Sequence, residues 1–551
     1  LTDRKKKPGP TFGFRVGRKL DNALSLAAPV WAWKRTKHRL ALEAARRIEA
    51  ASYQGAERNR MHSGWNPGGK SADADLLTEL PILRERSRDL VRNDPIAAGV
   101  VDSKTANVVG TGIRGQSRVE SERLDLTDDA AGELQNQIEW AWKLWLPTAD
   151  AAERLDFAEL QDLVHRQMLE NGEAIILRRF LPTDSIRRYS LAWDVVESDR
   201  LSTPSDFRCN GAVRDGVEIG ANGQPVAYWI RRTHPGDVTL LNRMRLRSST
   251  KSDGYERITA RDADGRPNVL HLYRMKRAGQ NRGVPWFAPV LNRFKALADY
   301  VEAEQVAAQV TACISLFVRK TDAYLAATNT YDEQDANGKR LEMLEPGIIE
   351  YLNSGDEIQP FIPQRPGTTF DPFVSAMLRW IAAGLGMSYE LVAKDFSKTN
   401  YSSARAALLE AWRTFKCDQE WFARKFCQPA WDLLVEEAYL AGDIDVAEFY
   451  PHRREICRAR WICAGRGWVD PLKEVQAELA AVAGGIRSLV AVAAEHGDDC
   501  EETIDETARI EAYKKKKGVL QPIATAPVNQ YPPAQQPAED TSDDEEDDDE
   551  K

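Results

Sequence analysis

Three stretches carry residue types at spacings that could do chemistry. Gly64-Trp-Asn-Pro-Gly-Gly69-Lys70-Ser71 has the spacing of a phosphate-binding loop, in which glycine amides and a lysine converge on nucleotide phosphates. That chemistry requires a turn from a buried strand into a helix. Here the preceding Glu57-Arg-Asn-Arg-Met-His62 is too polar for such a strand, and Pro67 removes one amide from the cradle. No apolar run ending in Asp follows, so a flexible glycine loop is the simpler reading. Gly110-Thr-Gly112-Ile-Arg-Gly115 has the dinucleotide-binding spacing. A strand could precede it, but the polar Gln116-Ser-Arg-Val-Glu-Ser-Glu122 does not make the required helix, and glycines in a sharp turn at a strand edge explain it. The third stretch is Val392-Ala-Lys394-Asp395-Phe396-Ser397-Lys398-Thr399-Asn400-Tyr401-Ser-Ser403, two lysines among side chains able to hydrogen-bond backbone or phosphate oxygens.

Other catalytic patterns are missing, including HExxH, GxSxG and an acidic triad, and the seven histidines are scattered. His271 alternates with apolar residues in a predicted strand and reads as a satisfied structural residue. The seven cysteines are scattered and odd in number, with no zinc spacing, which favours reduced thiols. Neither a cofactor nor a metal nor an enzymatic activity is expected.

The composition is that of a water-soluble chain of several domains: 551 residues, 42% apolar and 29% charged, with a mean hydropathy of -0.49. No apolar run is long enough to span a membrane, and the basic, broken start does not read as a signal peptide. The net charge of -9 hides an asymmetry. Residues 1–50 form a basic arm with Arg4-Lys5-Lys6-Lys7 and Lys34-Arg35-Thr-Lys37-His-Arg39, expected to become helical from Arg39 to Ala51. Residues 514–551 run from Lys514-Lys-Lys-Lys517 through a Pro/Gln linker to Asp543-Asp-Glu-Glu-Asp-Asp-Asp-Glu550, a composition expected to be disordered.

The elements between these ends predict an α+β fold. Residues 51–282 read as a mixed α/β domain. Asp94-Pro95 starts a helix, Trp140, Trp142 and Trp145 lie on another, and strands are expected at Ala174–Leu177, Leu191–Val196, Val226–Ile230 and Val269–Tyr273. Asn222-Gly223 marks a hairpin. From Pro285 an apolar stripe predicts a helix of more than thirty residues, and 319–369 reads as a small module with a β-like Gly347–Tyr351. Asp371-Pro372 caps a second helix striped by Phe373, Ala376, Met377, Trp380, Ile381, Gly384 and Leu385. The polar stretch at 389–403 follows, then a third helix from about Ser403 that Pro429 should kink or end, and further helices to Tyr513.

Leu83-Arg-Glu-Arg-Ser-Arg-Asp-Leu-Val-Arg-Asn-Asp-Pro95, with Val108-Val-Gly-Thr-Gly-Ile113, closely resembles the lambda-type portal proteins of tailed bacteriophages. Val269-Leu-His-Leu-Tyr273, Gln280-Asn-Arg-Gly-Val-Pro285, Asp395–Ser403 and Val469-Asp-Pro-Leu-Lys473 continue the likeness in the same order, over roughly Tyr53 to Tyr513. The resemblance implies a homo-oligomeric ring, usually dodecameric, at one capsid vertex, with double-stranded DNA passing along its axis. It further implies that 51–282 is a wing, that 283–318 and 370–388 are stem helices, and that 319–369 is a clip. Residues 389–403 then correspond to the tunnel loop and 404–513 to a long kinked helix and helical crown region. Clip residues Glu345, Gly347, Glu350, Asp356 and Glu357 would meet the large terminase and later a neck or tail connector, and major capsid or scaffold protein would surround the ring. Lys394 to Tyr401 would face DNA, with Lys394 and Lys398 forming thin basic belts. Competing readings are a packaging NTPase using Gly64 to Ser71 and a monomeric nucleic-acid adaptor using the basic arm.

Overall fold

A computed structural model of the chain describes residues 67–207, 212–237, 254–312, 370–397, 399–467 and 471–517, scattered positions between 28 and 41, and the backbone of 316–320 and 356–360. Two compact units divide at Ser71. In the first, the described helical residues lie between 29 and 41, with Trp31 and Trp33 exposed, so most of the helix expected at 39–51 falls outside the described residues.

The second unit begins with α1 (Ala72–Leu76), α2 (Leu80–Asn93) and α3 (Pro95–Val108). Asp94 separates α2 from α3. Its Oδ1 accepts from the amides of Ile96 and Ala97, both at 2.9 Å, and Pro95 stands where no amide is needed. β1 (Arg114–Ser117) follows, so a helix and not a strand precedes the Gly110–Gly115 turn. The glycines serve packing there. Gly110 and Gly112 have φ of 59° and 107°, and a Cβ on Gly112 would come within 2.6 Å of Ala158.

Two helices, α4 (Asp128–Trp145) and α5 (Phe157–Asn171), lead into β2 (Glu173–Phe180) and β3 (Leu191–Val196). Next come β4 (Val213–Arg214), β5 (Val217–Ile219), β6 (Pro225–Arg231), β7 (Tyr255–Thr259) and β8 (Val269–Tyr273). The four strands expected between 174 and 273 are present, the β-like Gly347–Tyr351 lies outside the described residues, and Gly223, at φ 78°, turns the β5–β6 hairpin. The strands form antiparallel sheets in the orders β3-β2-β8 and β4-β5-β6-β7. β2 is apolar on both faces because it walls two cores. Ala174 and Ile176 belong to the large core, while Ile175 and Leu177 join Val196, Tyr228 and Ile230 in a second one.

The helix expected to exceed thirty residues is α6 (Leu291–Ala312), 22 residues or about 33 Å long. β9 (Leu316–Lys320) and β10 (Asp356–Pro360) pair antiparallel beyond it. α7 (Phe370–Leu385) begins one residue before Asp371. It buries Met377, Leu378, Ile381 and Leu385 but leaves Phe373 and Trp380 exposed, so the expected stripe is rotated. α8 (Tyr389–Ala393) and α9 (Tyr401–Phe422) come next, and a π-helical segment (Ala423–Cys427) carries the chain into α10 (Gln428–Leu440). Pro429 therefore does not end the helix. It lacks an amide hydrogen, and the widened turn just before it accommodates the interruption.

α11 (Arg453–Ile456), β11 (Ala459–Ile462), α12 (Pro471–Ala483), α13 (Leu489–Glu495) and α14 (Cys500–Lys516) complete the unit. β11 pairs antiparallel with β1. The large core runs without a break from Ala97 through Phe287, Ile381 and Phe422 to Cys457, across the boundary expected at 282. Trp142 and Trp145 sit within it, ring centroids 5.0 Å apart, and Trp142 lies 4.9 Å from Trp431, whereas Trp140 is exposed.

Candidate functional site

The stretch expected to be a loop from 389 is helical as far as Ala393, because α8 seats Val392 in the large core. The loop proper runs from Lys394 to Asn400. Lys394 closes α8 in the left-handed region at φ 52°, which costs a lysine about 1–2 kcal/mol that glycine would not bear. Its side chain lies over Gly99 of α3, where a Cβ would stand 3.4 Å from Nζ. Asp395 Oδ1 accepts from the Ser397 amide at 2.9 Å and the Ser397 hydroxyl at 2.6 Å, a local turn that leaves Phe396 42% exposed. Thr399 Oγ1 donates to the Phe396 carbonyl at 2.9 Å, and Asn400 Oδ1 caps α9 by accepting from the Ser403 amide at 2.8 Å. Lys398 and the side chain of Tyr401 lie outside the described residues.

Behind the loop, α9 is clamped by charge. Asp418 accepts Lys104 of α3 at 3.1 Å and also pairs with Arg274, just after β8. Lys104 Nζ lies 4.2 Å from the centroid of Trp286, and Arg274 stacks at 4.2 Å over Trp421. These groups line a cavity of about 80 Å³ together with His165. His165 Nδ1 lies 3.0 Å from Thr105 Oγ1. Burial, reinforced by the positive Lys104, pushes its imidazole down to about 3, so it is neutral near pH 7.

Glu173, the first residue of β2, is a fully buried carboxylate that the sequence reading did not single out. Arg84 of α2 reaches Oε1 at 2.6 Å and Arg282 at 2.7 Å, while His271 lies 3.1 Å from Oε2 and the Gly283 amide donates to it at 2.7 Å. Burial by itself would raise this carboxyl, but Arg282, then Arg84 and His271, hold it well below the usual carboxylate range. Gly172 and Gly283 permit the approach. A Cβ on Gly283 would stand 2.1 Å from the Gly172 carbonyl oxygen, closer than any side chain could come.

Among the described residues, Glu197, Asp199 and His234 are the one group placed closely enough to share a metal ion. Their geometry opposes it. His234 Nδ1 accepts from the Gly236 amide at 3.0 Å, so Nε2 carries the hydrogen, with Glu197 3.1 Å away, while Asp199 is already paired with Arg88. A metal would need the lone pair that this tautomer lacks.

The family model for lambda-family phage portal proteins matches residues 58–419. The chain belongs to that family. Among curated relatives, the portal protein of Escherichia phage N15 is 26% identical over 493 residues, 84% of this chain and 90% of the relative. The probable portal protein of Halomonas phage phiHAP-1 is 26% identical over 487 residues, 86% of this chain and 89% of the relative. Among solved structures, the neck of a native gene transfer agent particle computed with C12 symmetry contains a chain matching with a TM-score of 0.37 at 14% identity, over 74% of this chain and 91% of that one.

As a portal-family chain it gives its sequence motifs a structural meaning. Arg84 in Leu83–Pro95 and Arg282 in Gln280–Pro285 converge on Glu173, which explains two distant motifs as one buried ion cluster. The only sequence signal for Glu173 was an acidic residue directly before the apolar run Ala174–Leu177. Of the expected clip residues, Glu345, Gly347 and Glu350 lie outside the described residues. Asp356 and Glu357 pair through the β10 backbone with Lys320 and Arg319, on elements separate from the loop. Of the phosphate-type loop, Pro67–Ser71 is described and irregular, and the helix after it has only five residues. Neither this geometry nor the comparisons support nucleotide chemistry there.

Proposed function

We propose that the chain assembles into a homo-oligomeric ring, a dodecamer, at one vertex of a phage capsid, and that double-stranded DNA is packaged and later ejected through its axis. Membership of the portal family is the observation that carries this reading. Exposed apolar residues on the α6–α7 pair support it, because Val306, Phe373 and Trp380 are 51%, 44% and 59% exposed, a poor surface for a solitary subunit. Residues 51–282 would form the wing, α6 and α7 the stem, and 319–369 the clip. The clip, through Glu345, Gly347, Glu350, Asp356 and Glu357, would dock the large terminase and then a neck or tail connector. Capsid or scaffold protein would hold the ring at its vertex, and the protein would reside in the virion after assembly in the host cytoplasm.

Lys394 to Tyr401 would line the channel. A conduit must not hold its cargo, and each phosphate neutralised by a cation adds salt-dependent affinity. Isolated lysines repeated by ring symmetry give thin belts that touch DNA without sequence preference, with Ser397, Thr399 and Asn400 offering weak hydrogen bonds to phosphate oxygens. The role is structural and involves no bond-making step.

Native mass measurement with negative-stain imaging tests the ring, which should show an axial hole. Rings carrying Lys394→Ala and Lys398→Ala should assemble normally but package or retain DNA less well. Unchanged packaging and retention would remove the loop from the channel's working surface.

A further inference from the structure

The segment from α12 to α14 is attached to the rest of the chain by charge. Among the described residues of 471–517 three are buried, Glu474, Glu478 and Cys500, and none of them joins an apolar core. The body supplies the cations and the segment the carboxylates. Arg466, just after β11, reaches Glu478 at 3.1 Å and Glu474 at 3.9 Å, and Arg405 of α9 stands 3.6 Å from Glu474. Lys416 of α9 lies 3.2 Å from Glu495, which also holds Arg487 within the segment. Arg114 of β1 donates to the Gly497 carbonyl and lies 3.8 Å from Glu502, Gln116 Nε2 donates to Asp499 Oδ1 at 3.0 Å, and Arg118 is 2.8 Å from Glu501. Lys416, Arg114 and Arg118 therefore meet one short run, 495–502. Arg405 extends the row along α9, because it stands three turns, or roughly 16 Å, before Lys416 on the same face.

We propose that the row Arg405, Lys416, Arg114 and Arg118 is a binding face for the phosphates of double-stranded DNA, and that α12–α14 is an acidic strap covering it, so that strap docking and DNA binding exclude each other. A helical segment fixed for structure alone turns its apolar side to a core. This one turns Glu474 and Glu478 inward and leaves Leu472, Val475 and Leu479 exposed. Its pairs are also open to water: the side chains of Arg114, Arg405 and Lys416 are 53%, 42% and 49% exposed, and those of Glu501 and Glu502 are 58% exposed. Such pairs are individually weak and screened by salt, so another polyanion competes with them readily. Duplex DNA carries a negative charge about every 1.7 Å along its axis, so a row of this length faces several phosphates at once. The face is separate from the channel loop proposed above, since Lys394 and Lys398 take no part in it.

The test uses the full-length chain and a fluorescein-labelled DNA duplex of mixed sequence, with binding read by anisotropy over a salt series. Neutralising one end of the strap with Glu495→Gln, Glu501→Gln and Glu502→Gln should tighten binding about tenfold at low salt. The slope of log affinity against log salt should steepen by about 3, because three cations are freed and each contributes about 0.9. Adding Arg114→Gln, Arg118→Gln and Lys416→Gln to that chain should cancel both effects. The same three changes in the wild-type chain, where the strap covers them, should alter affinity less than about twofold. A strap-neutral chain that binds no tighter than wild type would overturn the inference. So would a gain that survives loss of the three cations, since lost negative charge alone would then explain it. All six groups lie outside the apolar cores, and unchanged urea midpoints verify that the variants fold. Glu501→Lys alone, a single exposed change, should give part of the same gain and repeats the test with the least disturbance. Either failure leaves the portal reading intact, because neither the ring nor its channel depends on this face.

Discussion

At the scale of single residues, the consequential groups are buried charges. Removing the negative charge in Glu173→Gln leaves the buried Arg84 and Arg282 with Asp215, which pairs only with Arg282, as their one contacting carboxylate, and the subunit should lose about 3–5 kcal/mol in urea unfolding. A loss under about 1 kcal/mol would mean that water or backbone carbonyls already screen the guanidiniums. His165 makes a separate prediction through pH. Its folded-state value of about 3 lies below the ordinary 6.5, so the unfolded chain takes up the proton first as pH falls. The stability it contributes is complete above about pH 6.5 and lost progressively toward pH 3. Between pH 7 and pH 5, wild type should lose about 2 kcal/mol more than His165→Gln, read from paired urea midpoints. Such residues were only partly legible in the sequence. His271 could be read as a satisfied strand histidine because alternation placed it on a face, but its partner Glu173 is contributed by a distant strand. Periodicity places a residue on a face and does not say what lies opposite.

At the scale of elements, strands and caps were legible because their causes are local. Asp94-Pro95, Asn222-Gly223 and Asn400 act within a few residues of themselves. Elements decided by tertiary packing were read less well. α8 was hidden inside a polar stretch because its helicity depends on Val392 reaching the core, and α7 is rotated because its glycine meets another element rather than its own stripe. Gly384 allows that meeting, as a Cβ there would stand 2.4 Å from Val290 Cγ1. Gly384→Ala should therefore destabilise by about 1–3 kcal/mol through overpacking, despite alanine's better helix propensity. Val290→Ala in the same chain should recover much of that loss in thermal unfolding. Additive losses would show that the contact is not the cause.

At the scale of the whole molecule, the succession of α6, α7, the loop after α8 and α9 was readable, and the family likeness rests on motifs kept in sequence order. Less readable was how far one core extends, since contacts such as Phe157 against Phe426, with ring centroids 5.3 Å apart, join residues remote in sequence. β2 shows what a shared wall does to the protein in time. With Ile175 and Ile176 facing different cores and both neighbours hydrogen-bonded to the same strand, no partial opening of either core frees its amides. Those amides should exchange with deuterium only when the subunit unfolds globally, and so report the stability of both cores in a single rate.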